Sequence, residues 1–252
     1  MSRVDFVQSL ERGLAVLRSF DAEHPTLTLS EVAARTGLTR ATARRLLLTL
    51  GALGYASTNG RRFSLTPRVL DIGYAYLSSL NVQQIAQPYL EALSERVHES
   101  VSITVLDGTD IVYVARVPTT RIMTISLGLG SRLPAYCTSM GRVLLAEVPP
   151  EDLGDALPER LERHTDNTVT SPADLAVVLK QVRAQGWALV DQELEMGLRS
   201  VAAPLRDSSG RVVAAMNIST QVARTPAEQI HEHLVPELLT SAGQISEALA
   251  KR

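Results

Sequence analysis

One cysteine, Cys137, occurs in the 252 residues. No internal disulfide is possible, and no cysteine and histidine cluster has zinc-ligand spacing, so neither a disulfide framework nor a structural metal is expected. No apolar run reaches about 18 residues, the length that a membrane-spanning helix needs. The opening MSRVDFVQSLERG has no apolar signal core, and the chain is expected in the reducing cytoplasm. Phosphate loops of the GxGxxG or Walker type are missing, as are GxSxG and HExxH. No local pattern sets a histidine beside Cys137, so the thiol reads as a small buried hydrophobe rather than a nucleophile. The expectation is a protein that is not an enzyme and needs no cofactor. His231 and His233, the one close histidine pair, point apart on a helix and belong to a solvated face.

What is present is the balance of a folded protein, 45% apolar and 21% charged, in a chain long enough for one large or two ordinary domains. The net charge of −2 conceals an asymmetry. Residues 1–80 hold ten arginines against six acids, +4, which leaves 15 basic and 21 acidic residues in 81–252, −6. A basic segment beside an acidic one suggests that the first alone meets a polyanion.

The basic segment carries a recognisable pattern. Val7, Leu10, Leu14 and Leu17 recur at helical spacing, form one stripe and predict a first helix. After HPTLT, Ser30 is the expected cap of a short helix, and Gly37 supplies a turn. Thr39 then caps a third helix from about Arg40 to Leu50. At about 100° per residue, Ala43, Leu46, Leu47 and Leu50 share one face, while Arg40, Ala41, Arg44, Arg45 and Leu48 lie opposite. That outer face is cationic with no interleaved acid, at the end of a helix-turn-helix that presents residues to the major groove. Next, GYASTNGRRFSLT reads as two strands around Asn59-Gly60, with a type I′ hairpin expected there. A basic hairpin in this position is a wing, whose Arg61 and Arg62 are expected at phosphates or a minor groove.

Pro67 opens a helical connector to about Asn81, whose Tyr74, Tyr76 and Leu77 suit either a partner chain or the same chain's core. Pro88 is expected to kink or restart the following helix. From Val101 the pattern turns to strands: VSITVLD and TDIVYVARV around Asp107-Gly108, then IMTIS. Helical stretches follow at SMGRVLLAEV, PEDLGDAL and SPADLAVVLKQVRAQG. Strands WALVD, RSVAAPLRD and RVVAAMNIS and a closing helix from Pro226 complete the chain. The class is α+β around an antiparallel sheet.

Three polar sets could bind a small molecule. Thr138 and Ser139 precede the apolar Val143, Leu144 and Leu145, so either they cap that helix or its amide end receives a small anion such as a carboxylate. Asn217 and Ser219 share one face of a strand and either meet water or line a pocket. Asp191 and Glu193 could cap a helix, pair with Arg199 or touch a ligand.

Taken in order, SLERGLAVLRSF, LSEVAARTGLTRATARRLLLTLGALGY, FSLTPRVLDIG, LPAYCTSMGRVLLA and GWALVDQELEMGLRSVAAPL resemble the IclR-type bacterial transcriptional regulators over essentially the whole chain. YCTSMGRVLLA and VDQELEMGLRS look most like the branch that controls protocatechuate, 4-hydroxybenzoate and β-ketoadipate breakdown. The resemblance implies a winged helix-turn-helix (1–66), a linker helix (67–81) and a GAF-like effector domain (82–252). It also implies a homodimer or tetramer on double-stranded promoter DNA, answering to a small aromatic or dicarboxylic acid. DNA contacts are then expected from Thr39, Arg40, Ala41, Arg44, Arg45, Arg61 and Arg62. Effector contacts are expected from Thr138, Ser139, Gly141, Asp191, Ser200, Asn217 and Ser219. The chain departs from the family in having Val190 where many relatives have an acid, with Asp191 next along. A small-molecule enzyme with a helical assembly domain, and a DNA-binding protein without an effector, are the rival readings.

Overall fold

A computed structural model of the chain describes residues 6–80, 82–119 and 127–251. The expected strand IMTIS, 122–126, falls outside them. Two units divide the chain, Met1–Ser79 and Leu80–Arg252.

The first unit runs α1 (Gln8–Arg18), β1 (Thr26–Thr28), α2 (Leu29–Thr36), α3 (Arg40–Ala52), β2 (Ala56–Thr58), β3 (Arg62–Leu65), a 3-10 turn and α4 (Leu70–Leu80). Its core gathers Val16, Leu27, Val32, Ala43, Leu47 and Leu50. The apolar residues of α1 divide between two stripes, and only Leu17 of the spaced set packs on the core. Val16 is fully buried, with Leu17 and Phe20 packed beside it, while Val7 and Leu10 are more than 60% exposed and Leu14 46%. Helical spacing marks an apolar stripe but cannot say which of two stripes meets the core; here they lie about 100° apart.

The cap of α2 is Thr28, not Ser30. Thr28 Oγ1 accepts the Glu31 amide at 3.3 Å, and Glu31 Oε2 accepts the Thr28 amide at 2.6 Å, a reciprocal capping box. Gly37 ends the helix at φ +66°, a left-handed turn that a β-carbon would strain. Thr39 caps α3 by accepting the Thr42 amide. Also absent from the expectations is β1, which pairs with β3 and makes the wing a three-stranded sheet in the order β1-β3-β2. A three-residue strand is too short for alternation to reveal.

The second unit is built on a six-stranded antiparallel sheet in the order β6-β5-β4-β9-β8-β7. Its strands are β4 (Ser100–Asp107), β5 (Asp110–Val117), β6 (Arg132–Pro134), β7 (Ala188–Asp191), β8 (Leu198–Arg206) and β9 (Val212–Gln221). Before the sheet comes α5 (Val82–Val97), which runs through Pro88 without a break. Between strands lie α6 (Ser139–Leu145) and α7 (Pro172–Gln185). The chain closes with a short turn of helix, α8 (Ala227–Gln229), a π-helical segment and α9 (Val235–Ala250). PEDLGDAL forms successive tight turns rather than a helix, with the Asp152, Asp155 and Ala156 amides each bonded three residues back. Helix α6 packs on β4, β8 and β9, and α9 packs on β8 and α5. Alternation along β9 then sends Ala215, Asn217 and Ser219 to the α6 side, and Met216 and Ile218 to the other. No helix among the described residues is long and apolar enough to cross a membrane.

Candidate functional site

On α3 the division of faces follows the leucine phase. Ala43, Leu47 and Leu50 are buried, Leu46 is half-buried, and Thr39, Arg40, Ala41, Arg44, Arg45 and Leu48 are exposed. Among the described residues Arg40, Arg44 and Arg45 make no ion pair, so three guanidinium groups face outward uncompensated. By contrast Arg35 on α2 is held by Asp21 at 2.5 Å, with His24 alongside. The His24 hydrogen bond keeps the Asp21 carboxyl below the usual carboxylate range.

The wing turn is not of type I′. Only Gly60 has positive φ, +92°, where that type needs two such residues. Asn59 instead organises a longer connection: its Oδ1 accepts the Arg61 and Arg62 amides at 3.1 and 2.8 Å. The two wing arginines therefore differ. Arg62 is tied back to Thr26, donating to its hydroxyl at 3.1 Å and its carbonyl at 3.2 Å, and reaches Glu31 at 3.4 Å. Arg61 stands exposed at the tip without an ion pair among the described residues.

In the second unit, β8, β9 and α6 bring five of the sequence-derived residues to one pocket. Thr138, Ser139, Ser200, Asn217 and Ser219 line it beside Tyr113, Leu133, Cys137, Met140, Val190, Leu194 and Leu198. The void measures about 30 Å³, room for a water or two. None of these side chains carries a charge at neutral pH. Ser200 Oγ donates to Ser139 Oγ at 2.8 Å. Asn217 Nδ2 donates to Ser219 Oγ at 2.9 Å, while Asn217 Oδ1 is buried with no partner among the described residues. Thr138 is the helix cap: its hydroxyl accepts the Gly141 amide at 3.2 Å and donates to the Pro134 carbonyl at 3.1 Å. With that hydroxyl engaged and α6 only seven residues long, the helix end is a structural cap.

Two expected contacts stand away from the pocket. Strand pairing sets Val190 opposite Ser200 and Asp191 opposite Arg199. Val190 therefore faces the pocket and Asp191 the opposite side, where it meets Arg199 Nη2 at 2.7 Å. Gly141 is also elsewhere: a β-carbon there would lie 2.1 Å from the Ala135 carbonyl oxygen, so its role is to let α6 approach that backbone. Gly141→Ala is expected to destabilise the protein by roughly 1–3 kcal/mol or more, read as a lower urea midpoint. An unchanged midpoint would contradict the close approach.

Sequence reasoning left Glu193 with three possible roles and gave Arg142 none. They form a buried ion pair at 2.6 Å, with Arg142 3% and Glu193 9% exposed at the side chain. Arg142 Nε also donates to the Tyr136 carbonyl at 3.0 Å, and Glu193 Oε2 accepts the Val169 amide at 3.1 Å. The pair fastens α6, which carries Ser139 and Met140, to the loop that carries Leu194. Burial, with the Glu193 charge nearby, pushes the Cys137 thiol up to about 12. The native thiol stays protonated through pH 9, so iodoacetamide at pH 8 should modify Cys137 only on unfolding. Rapid labelling of the native protein would refute that. The histidine pair is exposed as expected, with the His231 ring edge-on to Trp187 at 5.4 Å.

A winged helix-turn-helix with a cationic outer face, carried on the same chain as a sheet domain holding a small pocket of apolar walls and a few polar side chains, defines a ligand-responsive DNA-binding regulator. The chain belongs to the IclR family of bacterial transcriptional regulators. Residues 9–60 match the IclR helix-turn-helix domain, and residues 74–247 match the bacterial transcriptional regulator IclR C-terminal domain. The Pca regulon regulatory protein of Pseudomonas putida is 45% identical over 247 residues, 97% of this chain and 85% of that protein. The p-hydroxybenzoate hydroxylase transcriptional activator of Acinetobacter baylyi is 35% identical over 247 residues, 96% of this chain and 91% of that one. A crystal structure of an IclR homolog from Microbacterium hydrocarbonoxydans, complexed with 4-hydroxybenzoate, superposes with a TM-score of 0.85 at 25% identity. That match covers 96% of this chain and 98% of the other.

Proposed function

We propose that this regulator controls a catabolic operon for aromatic acids in the cytoplasm, and that an aromatic acid in the β8–β9–α6 pocket sets its affinity for promoter DNA. The observation that carries this reading is a pocket with apolar walls and paired serines in a protein whose DNA-binding surface is separate. Relatives named for Pca and p-hydroxybenzoate regulation, and a neighbour holding 4-hydroxybenzoate, support the ligand class.

DNA contact falls to Thr39, Arg40, Ala41, Arg44 and Arg45 on α3 and to Arg61 on the wing, with Arg62 mainly supporting the wing. The ligand's carboxylate meets the Ser139 and Ser200 hydroxyls, and its ring meets Val190, Leu194 and Leu198. Thr138 lines the pocket with its hydroxyl held as the α6 cap, while Gly141 and Asp191 act from outside it, as close packing and Arg199 partner. A benzoate-sized ring exceeds the present void, so the ligand selects an arrangement with the pocket walls moved apart. Only its differential affinity for that arrangement can shift the balance.

Operation as a homodimer follows from the apolar surface left exposed. Val7 at the start of α1, Leu10 and Leu14 on it, and Leu70, Ile72 and Tyr74 on α4 are each more than 40% exposed. Two copies would read half-sites about 34–36 Å apart, a spacing that a change at the paired domains would upset. The test is a promoter-fragment shift at fixed salt, repeated with protocatechuate, 4-hydroxybenzoate, β-ketoadipate and glyoxylate. An aromatic acid should change the shift; a response to glyoxylate alone, or to none, would overturn the proposal.

A further inference from the structure

Asn217 is a buried polar group of the pocket, and its side-chain oxygen is unused. It is 3% exposed, between β4 and β8 in the sheet, opposite Ser102 and Ala202. Its amide nitrogen is engaged by Ser219 at 2.9 Å, but Oδ1 meets no donor among the described residues. A buried acceptor without a partner is retained at a loss of stability unless something else supplies the proton. Neighbouring pocket groups do not: the Ser200 proton goes to Ser139, and the Thr138 proton goes to Pro134.

The proton inventory favours one kind of ligand group. Ser219 Oγ accepts from Asn217 and keeps its own proton to give, while Asn217 Oδ1 has only an acceptor to offer. A hydroxyl placed between the two accepts from Ser219 and donates to Asn217 at once. A carboxylate, ketone or bare ring edge cannot donate and leaves Oδ1 stranded. Resting on the proposed pocket for an aromatic acid, we infer that Asn217 selects hydroxylated aromatic acids and rejects aromatic acids or dicarboxylates that lack a hydroxyl. Discrimination of this kind is strong because the site, not the ligand, is left with the unpaired group.

The experiment is calorimetric titration of the full chain with 4-hydroxybenzoate and 3-hydroxybenzoate against 4-fluorobenzoate and 3-fluorobenzoate. Fluorine keeps the shape nearly unchanged and removes the donor. One hydroxy acid is expected to bind roughly 10- to 100-fold tighter than its fluoro analogue. In Asn217→Leu, which removes the stranded acceptor and should remain folded by circular dichroism, that preference should vanish. Fluoro acids binding within about twofold of both hydroxy acids would overturn the donor rule while leaving the pocket assignment standing. A hydroxyl preference that persists in Asn217→Leu would also overturn it. Binding of none of the four would remove the pocket assignment and the donor rule together.

Discussion

Arg44→Ala combined with Arg45→Ala is expected to remove DNA binding while leaving the fold intact. Both side chains are exposed on α3, make no ion pair among the described residues, and contribute nothing to the Ala43, Leu47 and Leu50 face. Alanine is the better helix former, so the thermal midpoint should hold. Each guanidinium in contact with a base edge contributes roughly 1–3 kcal/mol, so the pair is expected to lower affinity on the order of 30- to 20,000-fold. Fluorescence anisotropy on a promoter fragment at two salt concentrations measures this. Wild-type binding in the double variant would sink the recognition-helix assignment. Arg61→Ala is the milder companion: with no guanidinium at the wing tip to meet a phosphate, binding to all sequences should weaken alike and the salt slope fall by about one.

Arg142→Met is expected to have the largest effect on stability. It leaves Glu193 buried without its cation, beside the Val169 amide alone, and removes the bond to the Tyr136 carbonyl. Breaking a buried pair from one side destabilises by roughly 3–5 kcal/mol, a fall of roughly 6–20 °C in midpoint for a domain of this size. Removing both charges, with Glu193→Leu added, should recover part of that stability, because no uncompensated ion remains. Equal midpoints for Arg142→Met and the wild type would show that the pair does not fasten α6 to the 192–197 loop. Should the double variant be no better than the single, packing rather than charge would explain the destabilisation.

The exposed basic face of α3 and the wing beside it are legible because their signals are local. Leucine phase, the Gly37 turn and the Thr39 cap act within a few residues of α3, and alternation in β3 places Phe63 and Ser64 on opposite faces in the same way. Ser30 misleads as a cap because the first apolar residue of a helix does not mark its first turn; Thr28 with Glu31 three residues on is the better signal. Asn59-Gly60 marks the turn but not its length, which the Asn59 side chain sets by bonding two amides ahead of it.

At the pocket the residue types are legible and their partners are not. Ser200 and Ser219 are 19 residues apart and sit opposite one another only because β8 and β9 pair in that register. The same pairing decides that Val190 faces the cavity and Asp191 does not, since a shift of one residue along a strand reverses the face. Arg142 and Glu193 lie 51 residues apart, and no periodicity brings them together.

The sequence by itself determined most of the helices, the place of the wing, the α+β class and the position of an uncompensated basic face, because each depends on interactions between near neighbours. Only the tertiary structure decided which stripe of α1 is buried, which arginine of the wing is held back, and which acid is paired rather than offered to a ligand. Those outcomes depend on strand register and on long-range contacts, whose energies reside in pairs of residues that the sequence keeps apart.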